Sequence, residues 1–300
     1  MVVLVAVLSI VAALIVAGIA YHAIVVAPGD LRLTVREFTI HGLAPSFDGY
    51  RIAILSDFHH GPQQPLARAE RAVAYANSQS PDLVALLGDY GTSEGFLRSW
   101  WRRSYLRMHA DLSPVLARLR AHDGVVAVIG NHDHYGGADE TEHWLASLGV
   151  RVLRDARLEL RHHDGALHLV GIHDFWEGDV TDASVAALVD GATPTIILSH
   201  HPDALPHCVH PGVALVLSGH THGGQVVLPG IGAPITRSEI CTRHHASGWI
   251  PNPYVPLLVS SGVGAQIPLR FGTRPEVVIL TLRAGDGADE RAPRNMSRDA

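Results

Sequence analysis

Residues 51–61 read RIAILSDFHHG, an apolar run that leads directly into Asp57. Four more apolar runs end in the same way: LVALLG before Asp89, VVAVIG before Asn131, TIILS before His200 and VALVLSG before His220. In an open α/β sheet, ligands bind at the carboxyl ends of the buried strands. The repeated pattern therefore predicts that five side chains of metal-binding type converge on one place.

Two further histidines lie just beyond these strand ends, His59 after Asp57 and His222 after His220. A single Asp or His at a strand end is usually a cap or a satisfied polar group. Seven oxygen and nitrogen donors in register instead favour a site for two metal ions. Mixed imidazole, carboxylate and amide donors suit Mn, Fe, Zn or Ni better than Mg, and the sequence does not choose among these four.

Strand-like and helix-like patterns alternate along the chain. The strand-like runs are LRLTVREFTI, RIAILS, LVALLG, VVAVIG, LHLVGI, TIILS, ALVLSG, PLLVSSG and EVVILTL, and the helical patterns cover residues 65–77, 113–121, 139–148 and 181–189. The middle strands are almost continuously apolar, as strands covered on both faces must be. The pattern predicts α/β layering rather than a β-sandwich, with one catalytic domain over residues 30–283.

The first residues form an almost uninterrupted apolar stretch, 2–27, which is long enough to cross a hydrocarbon core of about 30 Å. We predict a single-pass membrane anchor over residues 1–29 rather than a cleaved signal peptide, because no basic residue precedes Arg32. Arg32 and Arg36 favour a cytoplasmic catalytic domain by the positive-inside rule.

Composition excludes several other classes of function. The net charge of −6 provides no basic field for nucleic acid. All 23 basic residues are Arg, which excludes Schiff-base chemistry and a phosphate loop that depends on Lys. Cys208 and Cys241 have neither zinc nor redox spacing. Residues 284–300 are rich in Gly and charge, and we predict a disordered tail there.

Five motifs share an order and spacing with a known family: SDFHHG (56–61), GDY (88–90), GNHDH (130–134), LSHHPD (198–203) and GHTHGGQ (219–225). Together they resemble the calcineurin-like metallophosphoesterase superfamily over nearly all of residues 33–283. The resemblance implies a four-layer α/β/β/α sandwich of two mixed sheets. LPGIG at 228–232 and PLRFGTRPEVVILTL at 268–282 resemble the membrane-associated branch related to UDP-2,3-diacylglucosamine hydrolases.

The resemblance also implies roles for single residues. Asp89 would bridge two ions, with Asp57, His59 and His222 on the first and Asn131, His200 and His220 on the second. His132 would be the general acid, since an imidazole can hold or donate a proton near neutral pH. Thr92 stands where some relatives carry an Asp that orients this His, and Asp133 could substitute for it.

The activity implied is hydrolysis of a phosphodiester or pyrophosphate bond in a lipid-linked or nucleotide-linked substrate. UDP-2,3-diacylglucosamine, an intermediate of lipid A biosynthesis, is one such substrate, and it would place the enzyme at a bacterial inner membrane. Two alternatives stay open. One is a phosphomonoesterase acting on proteins or nucleotides, and the other is a binding scaffold without turnover, which the complete ligand set disfavours.

Three residues outside the motifs are candidates for substrate binding. Arg270 could clamp a phosphate, because a guanidinium fork fits phosphate oxygens, although a structural ion pair is favoured. Trp100 and Trp101 lie in FLRSWWRRSYLRM, residues 96–108, where aromatic and basic side chains alternate as in interfacial helices. Packing of these Trp side chains on the core is the alternative.

Overall fold

The computed structural model describes residues 1–61, 64–92, 98–163 and 165–285, except for the side chains of residues 98–106. Its α-helices are α1 (Val2–Tyr21), α2 (Ala27–Gly29), α3 (Leu66–Ser78), α4 (Arg98–Leu116), α5 (Asn131–Ser147) and α6 (Asp182–Ala186). A π-helix, His22–Val26, joins α1 to α2, and short 3-10 helices cover Pro45–Phe47, Pro202–Cys208 and His222–Gly224.

The described strands form two six-stranded sheets. They are β1 (Arg32–His41), β2 (Arg51–Leu55), β3 (Leu83–Leu86), β4 (Val125–Ala127), β5 (Arg151–Val152), β6 (Ala156–His162), β7 (Gly165–Gly171), β8 (Thr195–Leu198), β9 (Val213–Ser218), β10 (Gly248–Trp249), β11 (Leu257–Val259) and β12 (Glu276–Gly285). One sheet has the order β1-β12-β2-β3-β4-β5 and the other β10-β11-β9-β8-β7-β6. Both are mixed, with antiparallel pairs at β12/β2, β10/β11 and β6/β7.

Three apolar layers hold the sheets and helices together. The central layer joins the inner faces of both sheets, for example Ile54 of β2 and Leu198 of β8. A second layer packs helices α3, α4 and α5 on the first sheet. A third packs α6 and the Pro202–Cys208 helix on the second sheet. The predicted α/β/β/α arrangement of two mixed sheets is confirmed.

All nine predicted strand runs are strands, and the predicted helices differ mainly in length. Helix α4 ends at Leu116, so the helical pattern predicted up to residue 121 ends too late. Helix α5 starts at Asn131, eight residues before the prediction. Gly137, with a φ of 125°, divides it into two segments, and the predicted helix at 139–148 corresponds to the second of these. The strands missed were β5 and β10, of two residues each, and the largely exposed edge strand β6.

The apolar N-terminal helix runs over Val2–Gly29 and is long and apolar enough to cross a membrane, judged by length and composition alone. Its last turns pack on the catalytic domain, with Ala23 and Ala27 buried. The carbonyl of Ala23 accepts from the backbone N–H of Arg270 at 2.8 Å.

At the other end of the chain, β12 runs to Gly285, two residues past the predicted domain boundary. Most of the predicted tail, 286–300, lies outside the described residues.

Candidate metal centre

The five strand-end motifs meet along one edge of the sandwich. Asp57, Asp89 and Asn131 follow β2, β3 and β4 of the first sheet, while His200 and His220 follow β8 and β9 of the second. The parallel β2/β3 ladder continues beyond the strands, because the N–H of Asp57 donates to the carbonyl of Gly88 and that of His59 to Asp89. Both sheets therefore deliver donors to a shared site.

Five of the seven predicted ligands have left-handed backbone conformations. Their φ angles are 54° for Asp57, 43° for His59, 58° for Asp89, 70° for His220 and 52° for His222. A non-glycine residue in this region carries roughly 1–3 kcal/mol of strain, and such residues cluster at functional sites. The sharp turns direct the side chains inward from the strand ends, which supports the predicted site.

Two motif glycines leave room for the carboxylates. A Cβ on Gly130 would overlap Oδ1 of Asp89, and one on Gly219 would overlap the hydroxyl of Ser56 and crowd the carboxylate of Asp57. Glycine is therefore required sterically at position 130, in GNHDH, and at position 219, in GHTHGGQ.

One oxygen of Asp89 lies at the middle of the donor set. Its Oδ2 is 3.3 Å from Nε2 of His59 and 3.2 Å from Nε2 of His200. The family resemblance places His59 and His200 on different ions. An Asp89 oxygen that lies between their rings has the position expected of a carboxylate that bridges two ions. The first donor group is completed by Asp57 Oδ1, which is 3.9 Å from Nε2 of both His59 and His222.

The second donor group lies on the other side of Asp89. Nδ1 of His220 is 3.2 Å from Oδ1 of Asn131 and 3.4 Å from Nε2 of His200. Backbone carbonyls orient both rings: Nδ1 of His200 lies 2.7 Å from the carbonyl of Leu87, and Nε2 of His220 lies 3.2 Å from that of Arg237. Such contacts at the outward nitrogen are typical of metal-binding histidines, because they fix the ring orientation.

A buried histidine ring nitrogen without a hydrogen bond indicates whether the site suits a metal ion. Nε2 of His59, the nitrogen that faces Asp57 and Asp89, forms no hydrogen bond with the described residues. The side chain of His59 is buried. Buried polar atoms are normally paired, and a divalent cation would supply the missing partner of this nitrogen. The seven donors therefore fit the metals predicted from their chemistry.

Burial and mutual charge shift the pKa values of the donors. Burial raises the pKa of Asp57 to about 6 and lowers that of His59 to about 3. Burial alone would raise the pKa of Asp89, but the surrounding imidazoles, His200 first, outweigh it and lower the pKa well below its usual range. Burial also lowers the pKa of His222. Burial alone would lower the pKa of His200, but the carboxylate of Asp89 outweighs it and raises that pKa well above its usual range. Metal binding needs neutral imidazoles, so an ion held by His200 would have to displace its proton.

His132, the predicted general acid, borders this centre and is half-buried. Its ring centroid is 4.7 Å from that of His59, and its backbone N–H donates to Oδ1 of Asp89 at 2.9 Å. Asp133, considered above as its orienting partner, accepts backbone N–H groups from Gly130 and Asp89 at 2.8 Å and from Tyr90 at 3.0 Å. These contacts indicate that Asp133 holds two loops together.

Arg270, a candidate for substrate binding, contacts backbone carbonyls in the structure. Arg270 is buried, and its terminal nitrogens donate to the carbonyls of His222, Ser261 and Gly264 at 2.6, 2.8 and 2.5 Å. These contacts favour the structural interpretation over the phosphate clamp, with carbonyls in place of the expected ion pair. The side chains of Trp100 and Trp101 lie outside the described residues.

Sequence reasoning missed a loop that borders the second donor group. Asp174 is buried, which raises its pKa to about 6, and the rings of Trp176 and His220 are 4.6 Å apart. On the other side, the Tyr135 ring is 5.8 Å from that of His132. A signal existed, because the run LHLVGI also ends before His173 and Asp174 and so repeats the pattern of the five others.

Comparison with known proteins extends these observations. The family model of calcineurin-like phosphoesterases matches residues 50–224, a range that contains all seven donors. The chain is 27% identical over 293 residues to a Danio rerio transmembrane protein with metallophosphoesterase domain, covering 92% of this chain and 62% of that protein. It therefore spans about three fifths of the length of this relative.

Two more similarities concern a bacterial protein and a solved structure. The chain is 29% identical over 236 residues to phosphodiesterase YaeI of Escherichia coli (strain K12), covering 78% of this chain and 82% of that protein. A dimetal phosphatase from Danio rerio aligns with a TM-score of 0.48 at 12% identity, covering 78% of this chain and 99% of that one.

Proposed function

This chain belongs to the calcineurin-like phosphoesterase family, a family of hydrolases, and from that premise we propose that it is a membrane-anchored, two-metal phosphodiesterase. The observation that carries the proposal is the position of Asp89 Oδ2, 3.3 Å from His59 and 3.2 Å from His200. A carboxylate oxygen shared by two groups of donors is the feature that a binuclear centre needs and a mononuclear one does not.

The residues would divide between two ions. Asp57, His59 and His222 would hold the first, Asn131, His200 and His220 the second, and Asp89 both. Mn, Fe, Zn or Ni suits these donors. When bound, such ions neutralise phosphate oxygens and lower the pKa of a water molecule.

The chain's own side chains would then position the ester and move a proton. His132 is half-buried beside His59, and its imidazole would donate a proton to the leaving-group oxygen. The hydrogen bond from its backbone to Asp89 ties its position to that of the metal-binding carboxylate. The ring of Trp176 lies 4.6 Å from that of His220 and would cover one side of the second donor group.

The substrate would be a phosphodiester or a pyrophosphate. The E. coli relative is described as a phosphodiesterase and the zebrafish relative as a transmembrane protein, which supports a diester near a membrane. A lipid-linked nucleotide such as UDP-2,3-diacylglucosamine meets both conditions. The helix Val2–Gly29 would anchor the enzyme in a bacterial inner membrane, and Arg32 and Arg36 favour the catalytic domain on the cytoplasmic side.

Hydrolysis assays with metal reconstitution test this proposal. The full chain, freed of metal by chelation and reloaded with Mn²⁺, should hydrolyse bis-(p-nitrophenyl) phosphate and UDP-2,3-diacylglucosamine, and chelator should abolish both activities. A clear preference for p-nitrophenyl phosphate would instead support the phosphomonoesterase alternative. Full metal loading without turnover on any of the three would support a binding scaffold.

A further inference from the structure

A cavity of about 260 Å³ opens beside the candidate metal centre. His222, a donor of the first group, forms part of its wall. Five of the other nine lining residues are apolar, namely Val226, Pro234, Ile235, Ile267 and Leu269. The cavity and the first donor group therefore share His222.

Two of the lining residues are large apolar side chains that are open to solvent. Ile235 is 68% exposed and Ile267 is 56% exposed. Isolated exposed apolar residues need no explanation, but several around one cavity mark a surface that binds apolar groups. The cavity also has a cationic residue, Arg237, which is exposed. A lining of this kind suits an amphiphile with an anionic head and an aliphatic body.

The cavity lies next to the C-terminal end of the apolar N-terminal helix. Leu269 precedes Arg270, whose backbone N–H donates to the carbonyl of Ala23 at 2.8 Å. Ala23 is buried there, whereas Ile24 is 53% exposed. If the helix crosses a membrane, this contact holds the apolar mouth of the cavity near the bilayer surface.

We propose that this cavity binds the aliphatic part of a phosphate-ester substrate while the phosphate lies at the metal centre, an inference that rests on the proposed function. Ile235, Ile267 and Leu269 would make the enzyme select for an alkyl group on the ester. The volume is slightly below the 300–1,000 Å³ or so of pockets that enclose whole drug-sized ligands. It therefore accommodates a short segment of chain close to the phosphate, and the rest of a long chain would extend outward.

A pair of diesters that differ only in their alkyl group tests the proposal. The full chain in lipid nanodiscs with Mn²⁺ would be given methyl and hexyl p-nitrophenyl phosphate. In each case water adds to phosphorus, the bond to the aryl oxygen breaks, and p-nitrophenol and an alkyl phosphate are released. Each buried CH2 contributes up to about fourfold in affinity, so kcat/KM for the hexyl ester should exceed that for the methyl ester by roughly tenfold or more.

Variants of the lining residues then test whether the preference for the hexyl ester arises in the cavity. The double variant Ile235→Asp/Ile267→Asp should bring the hexyl-to-methyl ratio close to one. The control Ile231→Asp changes an isoleucine that is 50% exposed and does not line the cavity, and it should keep the wild-type ratio. Stronger competitive inhibition of the wild type by hexyl phosphate than by methyl phosphate would support the proposal without depending on how the variants fold.

Equal kcat/KM for both esters in the wild type, or an unchanged ratio in the double variant, would overturn the apolar subsite and leave the proposed function intact. Failure of the fully metal-loaded wild type to hydrolyse either ester would overturn the proposed function, and this inference with it.

Discussion

The backbone N–H of His132 donates to Oδ1 of Asp89 at 2.9 Å, while the other oxygen of that carboxylate lies among the metal-site histidines. One side chain thus links the candidate metal centre to the candidate general acid. Any change at Asp89 should affect both, whereas a change in the imidazole of His132 should affect proton transfer alone.

Asp89→Ala should lower the metal content as well as turnover, because a shared carboxylate holds two ions together. Metal per chain, measured by elemental analysis after dialysis, should fall from two towards one or none. The matched control is Asp179→Ala at an exposed aspartate, which should leave both quantities unchanged. Two tightly bound metals with a normal rate in Asp89→Ala would contradict the bridging role.

His132→Ala should keep its metals and lose turnover by roughly 10²–10⁴-fold, as expected when a general acid is removed. The loss should be smaller for p-nitrophenyl esters than for alkyl esters, because a good leaving group needs no proton. His143→Ala, at an exposed position of the same helix α5, is the control. Equal losses for good and poor leaving groups would rule out His132 as the acid.

Asp133→Asn should destabilise the fold. One carboxylate oxygen accepts from Gly130 and Asp89 and the other from Tyr90, so replacing either oxygen with an amide nitrogen, which cannot accept, leaves at least one backbone N–H without its partner. Leaving buried N–H groups without partners costs about 1–3 kcal/mol. Urea unfolding should show a loss of this size, and metal titration should show weaker binding. Unchanged stability would mean that the three hydrogen bonds do not hold the loops.

Asp123 precedes β4, at the end of the sandwich opposite the candidate metal centre. We expect it to make the stability of the fold depend on pH. Burial alone would raise the pKa of Asp123, but hydrogen bonds from Tyr50, His122 and His162 outweigh it and lower the pKa. A carboxyl with a lower pKa in the folded state stabilises the fold above its unfolded pKa of about 3.9 and loses that contribution as the pH falls through the folded value.

The matching test is Asp123→Asn. It should lower Tm at about pH 7, and the difference from wild type should shrink as the pH falls below about 4, towards the folded-state pKa. A Tm difference that is the same at every pH would show that the ionised carboxylate makes no contribution.

Two truncations should separate the membrane segment from the part of the helix that packs on the domain. Removing residues 1–21 should give a soluble chain with normal hydrolysis of small diesters, because α1 has no buried residue. Removing residues 1–29 should also lower Tm, since it deletes buried Ala23 and Ala27. Identical Tm values for both truncations would contradict the packing role of residues 22–29.

Local pattern was enough to predict the metal-type residues and the layered fold. Strand ends can be read from apolar runs of four to seven residues, so Asp57, Asp89, Asn131, His200 and His220 could be selected without coordinates. Asp174 follows an apolar run in the same way, but the turn after β7 matches none of the five motifs. The short strands β5 and β10 have too few residues for any periodic pattern.

The candidate donors and the strands that carry them could be selected from local hydrophobic pattern alone. Which donors face each other, the burial of Arg270 against carbonyls and the apolar cavity beside His222 are known only from the folded chain. These depend on the packing of two sheets and on contacts such as that between Ala23 and Arg270. Residues hundreds of positions apart meet there, and no local pattern encodes the distance between them.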